Sequence, residues 1–141
     1  MNRSNNLQRF VDAQDPVYGQ VCAELEAGQK SSHWMWFVFP QFRGLGQSAM
    51  AKRYAIASRI EAADYLAHPV LGPRLRQCTE LMLRVDGKSA PQILGTPDDM
   101  KFRSCMTLFS LIRPDEKLFA NALNKYFAGR ADQKTVEMLE G

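Results

Sequence analysis

The residues best suited to chemistry crowd into positions 31–54, Ser-Ser-His-Trp-Met-Trp-Phe-Val-Phe-Pro-Gln-Phe-Arg-Gly-Leu-Gly-Gln-Ser-Ala-Met-Ala-Lys-Arg-Tyr. Trp34, Trp36 and Tyr54 carry flat faces of the kind that stack on planar ligands. Gly44 and Gly46, with Ser48 before a helix, can present backbone N–H groups to an anion, aided by the helix dipole. Gln41, Arg43, Lys52 and Arg53 add donors and positive charge. His33, at the polar edge of the aromatic run, can titrate, donate to a phosphate or cap a helix. The combination suits a ligand with both a ring and an anionic group. The loop lacks the Gly-Lys-Ser/Thr of a Walker motif, and it is not Gly-x-Gly-x-x-Gly after a strand. Each feature also has a purely structural reading: a tight turn, a serine cap, and large aromatics that build core, with Trp34, Phe37 and Val38 on one helical face.

A second set lies further along. Glu61 and Asp99 join His33 as candidates for proton transfer, since carboxylates near neutral partners can act as acid or base. Glu61 also completes a capping box with Ser58, and Asp98 and Asp99 fall where acids oppose a helix dipole. Lys101, Ser104 and Thr107 give an otherwise apolar helix a polar stripe that would suit a pocket wall. Two histidines and several serines always permit a triad on paper, so none is assigned. Cys22, Cys78 and Cys105 are far apart and form no metal-ligand spacing, so reduced, core-facing thiols are expected, with no metal and no cofactor.

The elements that must position these groups read as helices throughout. Leu7, Phe10 and Val11 begin a short one. Asp15-Pro16 reads as a cap and first-turn proline for the next, with Val17, Val21 and Leu25 on one face and Gly28 as its stop. Ser48 caps Ala49–Ala57, and Ser58 starts afresh. His68-Pro69 opens the clearest helix, its stripe Leu71, Leu75, Cys78, Met82 and Val85 ending at Gly87. Ser89-Ala90-Pro91-Gln92 makes a short capped turn that stops at Gly95. Thr96-Pro97 then precedes a helix with Phe102, Cys105, Met106, Phe109 and Ile112 inward. Pro114 starts another that ends at Gly129, and Asp132 caps the last through Leu139. Residues 34–39 have strong β propensity, but no second alternating run offers a partner, so a buried helix ending before Pro40 is predicted. Met35, Met50, Met82, Met100 and Met106 read as core filler. The expected fold is mainly α, a multi-helical bundle over residues 1–141 as one domain with short connections.

Composition agrees with that. The 141 residues are 45% hydrophobic and 23% charged with a net charge of +3, the balance of a globular chain. No apolar run approaches the roughly 18–20 residues of a membrane span, and Met1-Asn2-Arg3-Ser4-Asn5-Asn6 leads into no signal core, so a cytoplasmic protein is expected. The basic residues are dispersed, which argues against nonspecific nucleic-acid binding.

His33-Trp34-Met35-Trp36-Phe37-Val38-Phe39-Pro40-Gln41 and Gly44-Leu45-Gly46-Gln47-Ser48 resemble a small all-helical bacterial family of unknown function whose members are sometimes labelled calpastatin. Glu61-Ala62, Tyr65-Leu66, His68-Pro69-Val70-Leu71-Gly72-Pro73-Arg74-Leu75 and Asp98–Phe109 continue the resemblance in order. Cys105 stands where that pattern carries serine. The resemblance implies a helical fold and brings no activity. A calpain inhibitor of the calpastatin kind is a disordered repeat protein, whereas this composition predicts a packed core.

The leading functional expectation is a pocket for a phosphorylated or nucleotide-like small molecule between Trp34–Tyr54 and the helix of Asp98–Thr107. A faint similarity to enzymes that remove ADP-ribose from modified nucleotides, which also place a Ser-Ser/His/aromatic stretch early, suggests a hydrolytic extension. Two rivals stand beside it: a non-catalytic protein-interaction module, and a nucleic-acid-binding helical domain using Arg43, Arg53, Arg59, Arg74 and Arg103.

Overall fold

Local capping chemistry sets the order of the elements. A computed structural model describes residues 6–140, in which ten helices follow one another: α1 (Gln8–Gln14), α2 (Tyr18–Ala27), α3 (Met35–Val38), α4 (Ala49–Arg53), α5 (Arg59–Ala67), α6 (Leu71–Arg84), α7 (Ala90–Leu94), α8 (Asp98–Ile112), α9 (Lys117–Phe127) and α10 (Gln133–Glu140). Ser48, Ser58 and Ser89 each accept a hydrogen bond from a backbone N–H of the following first turn, the role that favours serine there. At α7 the box is complete, with Gln92 reaching back to the Ser89 N–H. Asp132 accepts from the Thr135 N–H at 3.0 Å and so caps α10. Gly28 ends α2 in the left-handed region at φ 71°.

Several boundaries differ from the sequence reading for physical reasons. The residue at the start of α2 is Val17, with no side-chain cap, because Asp15 pairs instead with Arg74 at 2.9 Å. α4 stops at Arg53, well before Ala57. Glu61 makes half a capping box: its N–H donates to Ser58, but its carboxylate takes the Ala57 N–H at 2.7 Å. His68 supplies the cap of α6 from its ring, where Nδ1 accepts from the N–H groups of Val70 and Leu71. α6 ends at Arg84 and not at Gly87, and α9 turns left-handed at Ala128 (φ 55°) one residue before Gly129.

The core is aromatic and continuous. α8 packs against α9, α7, α5 and α10, and α6 against α2, α5 and α9. Phe39 meets Phe102 edge-on at 4.9 Å, Phe10 meets Tyr65 at 5.1 Å, and Phe37 meets Tyr54 at 5.4 Å. Residues 34–39 are thus core: all are buried except the half-buried Trp36. They form a single helical turn, α3, and no strand occurs among the described residues. Among the described residues, strand-like pairing is confined to one parallel bridge, Phe42 to Ile56, where the Arg43 N–H donates to Ile56 O at 2.9 Å and the Ile56 N–H to Gln41 O at 2.8 Å. Met100 departs from the core-filler reading, since it is 43% exposed. Cys22 is half-buried, while Cys78 and Cys105 are core. No helix among the described residues is long and apolar enough to cross a membrane.

Candidate functional site

The bridge between Phe42 and Ile56 brings the chain on either side of α4 together, and a basic pocket of about 500 Å³ opens beside it. Arg9 from α1, Arg43, Lys52 and Arg53 line it, together with Ala57, Ser58 and Glu61 at the start of α5. The frame is built by arginine. Arg9 donates to the carbonyls of Arg53 and Ala55, each at 2.8 Å, and to that of Asn6, and lies 3.5 Å from Glu61 Oε2. Arg43 Nε donates to Ala57 O at 2.8 Å. These bonds tie α1 and the Gln41–Arg43 segment to the α4–α5 connection.

Lys52 and Arg53 are different. Both are exposed, and among the described residues neither pairs with a carboxylate or donates a side-chain hydrogen bond; Arg53 lies over the Tyr54 ring at 5.5 Å. Among the described residues, four cations therefore face one carboxylate, Glu61, whose side chain is 3% exposed. The N-terminus of α5 adds the positive end of its dipole. Such a concentration of positive charge attracts an oxyanion.

A second pocket, of about 320 Å³, lies where the Gly44–Ser48 loop meets α8. Gln41, Leu45, Gly46, Lys101 and Ser104 line it with Pro97, Met100, Asp132 and Lys134. Lys101 is positioned by Asp98 at 3.5 Å and lies over the Trp36 ring at 5.3 Å. Its polar wall is largely occupied: the Ser104 hydroxyl donates to Met100 O at 3.1 Å. Thr107, fully buried, donates to Arg103 O and accepts the Asp132 N–H at 2.8 Å. With Arg103, which donates to the Arg130 and Ala131 carbonyls, Thr107 holds the approach to α10.

The residues singled out in the sequence are thus divided. Arg43, Lys52, Arg53 and Glu61 share the basic pocket, and Gln41, Gly46, Lys101 and Ser104 the second. His33 is exposed and Asp99 is buried, and neither lines either pocket. Asp99 Oδ1 has no hydrogen-bond partner. Trp34 is 1% exposed and its indole N–H donates to Glu24 at 2.9 Å; Tyr54 packs on Phe10 and Phe37. Ser48 is engaged as the α4 cap. Gly46 is required by close approach, because a Cβ there would lie 2.4 Å from Ala51 Cβ. Gly44 takes φ +91°, open to glycine and costly for other residues.

Two residues escaped the sequence reading. Arg9 belongs to a short helix remote in sequence from the rest of the pocket. Glu24, on α2, is buried and accepts five hydrogen bonds, from the Ser31 and Ser32 N–H groups, the Ser32 hydroxyl, the Trp34 indole and Gln20. Burial pushes this carboxyl up, but the hydrogen bonds from Ser32, Ser31, Gln20 and Trp34 outweigh it and hold it well below the usual carboxylate range. With every lone pair engaged, Glu24 anchors the Ser31–Trp34 segment. No local pattern signals it, since four of its five hydrogen bonds come from Ser31, Ser32 and Trp34, beyond the end of its own helix.

The whole architecture has a solved counterpart. The chain is 52% identical to the conserved hypothetical protein Rv1873 from Mycobacterium tuberculosis, over 96% of each chain, and the two structures superpose with a TM-score of 0.94. No curated protein matches. The helical family resemblance carried by His33–Ser48 and Asp98–Phe109 agrees with a family model described as "Protein of unknown function (DUF1810)", which matches residues 4–139, and the chain belongs to that family.

Proposed function

We propose that the protein binds a small phosphorylated molecule in the basic pocket, with Lys52, Arg53 and the free end of Arg43 as the anion contacts. The observation that carries this reading is the imbalance of charge: four cationic side chains and one buried carboxylate around about 500 Å³. That volume falls in the range of small-molecule sites, roughly 300–1,000 Å³. A nucleotide-like ligand would need a ring-binding surface besides. Trp36 is our candidate for it: the ring lines neither pocket but is half-buried beside Lys101 of the second, whereas Trp34 is enclosed in the core. The hydrolytic extension, cleavage of an ADP-ribose-type glycoside, has one point in its favour: of His33, Glu61 and Asp99, Glu61 lines the basic pocket.

The test is a thermal-shift screen with inorganic phosphate, nucleotides, ADP-ribose, phosphosugars and divalent metals, because a ligand that binds the native state raises the melting temperature. Anionic ligands are expected to shift it, and Lys52→Ala and Arg53→Ala to reduce the shift. Trp36→Ala and Lys101→Ala separate the two pockets, since only a ligand reaching α8 loses affinity in them. Absence of a shift from every anion, or full retention of binding in both Lys52→Ala and Arg53→Ala, rejects the reading.

A further inference from the structure

We infer that the ligand of the basic pocket is a phosphate monoester carrying a free hydroxyl, a sugar phosphate or nucleotide, and that Glu61 accepts that hydroxyl; this rests on the anion reading above. The cations alone would serve any small oxyanion. Glu61 changes that. Its side chain is 3% exposed yet lines the pocket. One oxygen is engaged by the Ala57 N–H at 2.7 Å, whereas among the described residues Oε2 has a single long contact, 3.5 Å, to Arg9. A carboxylate is an acceptor without donors, so what it takes from a ligand must be an O–H or N–H. It repels a bare phosphate placed against it, and the surrounding Arg9, Arg43, Lys52 and Arg53 repel an ammonium. A neutral hydroxyl joined to a phosphate satisfies both constraints: the phosphate sits at the exposed Lys52 and Arg53 and the hydroxyl at the buried Oε2. The pocket, about 500 Å³, is also larger than a lone phosphate requires, so it has room for the group that carries the hydroxyl.

Titration calorimetry at low salt with methyl phosphate, which has no alcohol hydroxyl, and with ribose 5-phosphate tests this on the wild-type chain. Ribose 5-phosphate is expected to bind about tenfold or more tightly, the scale of a hydrogen bond to a charged acceptor. In Glu61→Gln, which can still accept the Ala57 N–H, the preference should fall to about threefold or less, with methyl phosphate bound more tightly because a negative charge beside the cations is removed. Equal wild-type binding of the two probes overturns this inference and leaves the anion reading standing. Binding of neither overturns both. A Glu61→Gln variant that loses affinity for both probes equally assigns Glu61 to the frame of the pocket and also overturns the inference. The wild-type comparison decides the matter even if that variant does not fold.

Discussion

Glu24 and Glu61 are both buried carboxylates, but their surroundings suit them to different work. Glu24 is saturated by five donors, so Glu24→Ala leaves the Trp34 indole and two backbone N–H groups unpaired and should cost about 3 kcal/mol in urea unfolding. Its folded carboxyl titrates below the unfolded one. The stability it contributes is therefore present above the free glutamate value, about 4.3, and is lost as pH falls through the depressed native range. Glu24→Gln should flatten that acid-side slope in unfolding midpoints measured from neutral pH downward. A second residue-scale expectation concerns Cys22. Its hydrogen bond with Cys78 lowers its thiol to about 6, while burial raises Cys105 well above the ordinary value. Iodoacetamide should label Cys22 with a rate that rises through about pH 6 and spare Cys105; Cys78→Ala should move that midpoint upward. An unaltered midpoint in that variant would remove Cys78 as the cause.

At the scale of elements, glycines decide how closely helices can be joined. A Cβ at Gly72 would lie 2.2 Å from the Leu66 carbonyl, so the turn from α5 into α6 has no room for one. Gly72→Ala should destabilise by about 1–3 kcal/mol, the usual cost of overpacking, read as a lower melting temperature. Gly46 works on the site itself. Its contact with Ala51 seats the loop on α4, the helix that carries Lys52 and Arg53. Gly46→Ala should weaken phosphate binding by displacing that helix, and Ala51→Gly in the same chain should restore it. Failure of the double variant to recover binding would show that the loop backbone matters for another reason. The serine caps of α4, α5 and α7 were legible in the sequence because a cap acts within three residues. The start of α2 was not, because the competing partner of Asp15 is Arg74 on another helix.

For the molecule as a whole, a net charge of +3 is modest, and the sequence shows the basic residues dispersed from Arg3 to Lys134. Folding concentrates Arg9, Arg43, Lys52 and Arg53 around one pocket. Binding there should weaken as sodium chloride is raised, because the contacts at Lys52 and Arg53 are exposed and screening acts over about 10 Å at 0.1 M. A salt-independent affinity would point away from these cations. The sequence by itself determined the helical class, the serine caps of α4, α5 and α7 and most of the buried stripes, since those follow from a 3.6-residue period and from contacts within one turn. It also marked residues 31–54 and 98–107 as noteworthy and carried the family resemblance. Tertiary structure alone decided how those residues are shared out. The pairing of Phe42 with Ile56 turns Lys52 and Arg53 towards Arg9 and Glu61, while α8 takes Gln41, Gly46, Lys101 and Ser104 to a separate pocket and the core encloses Trp34. The physical reason is range: a cap or a stripe is a property of neighbours along the chain, whereas a pocket is formed by groups brought together only when the core closes.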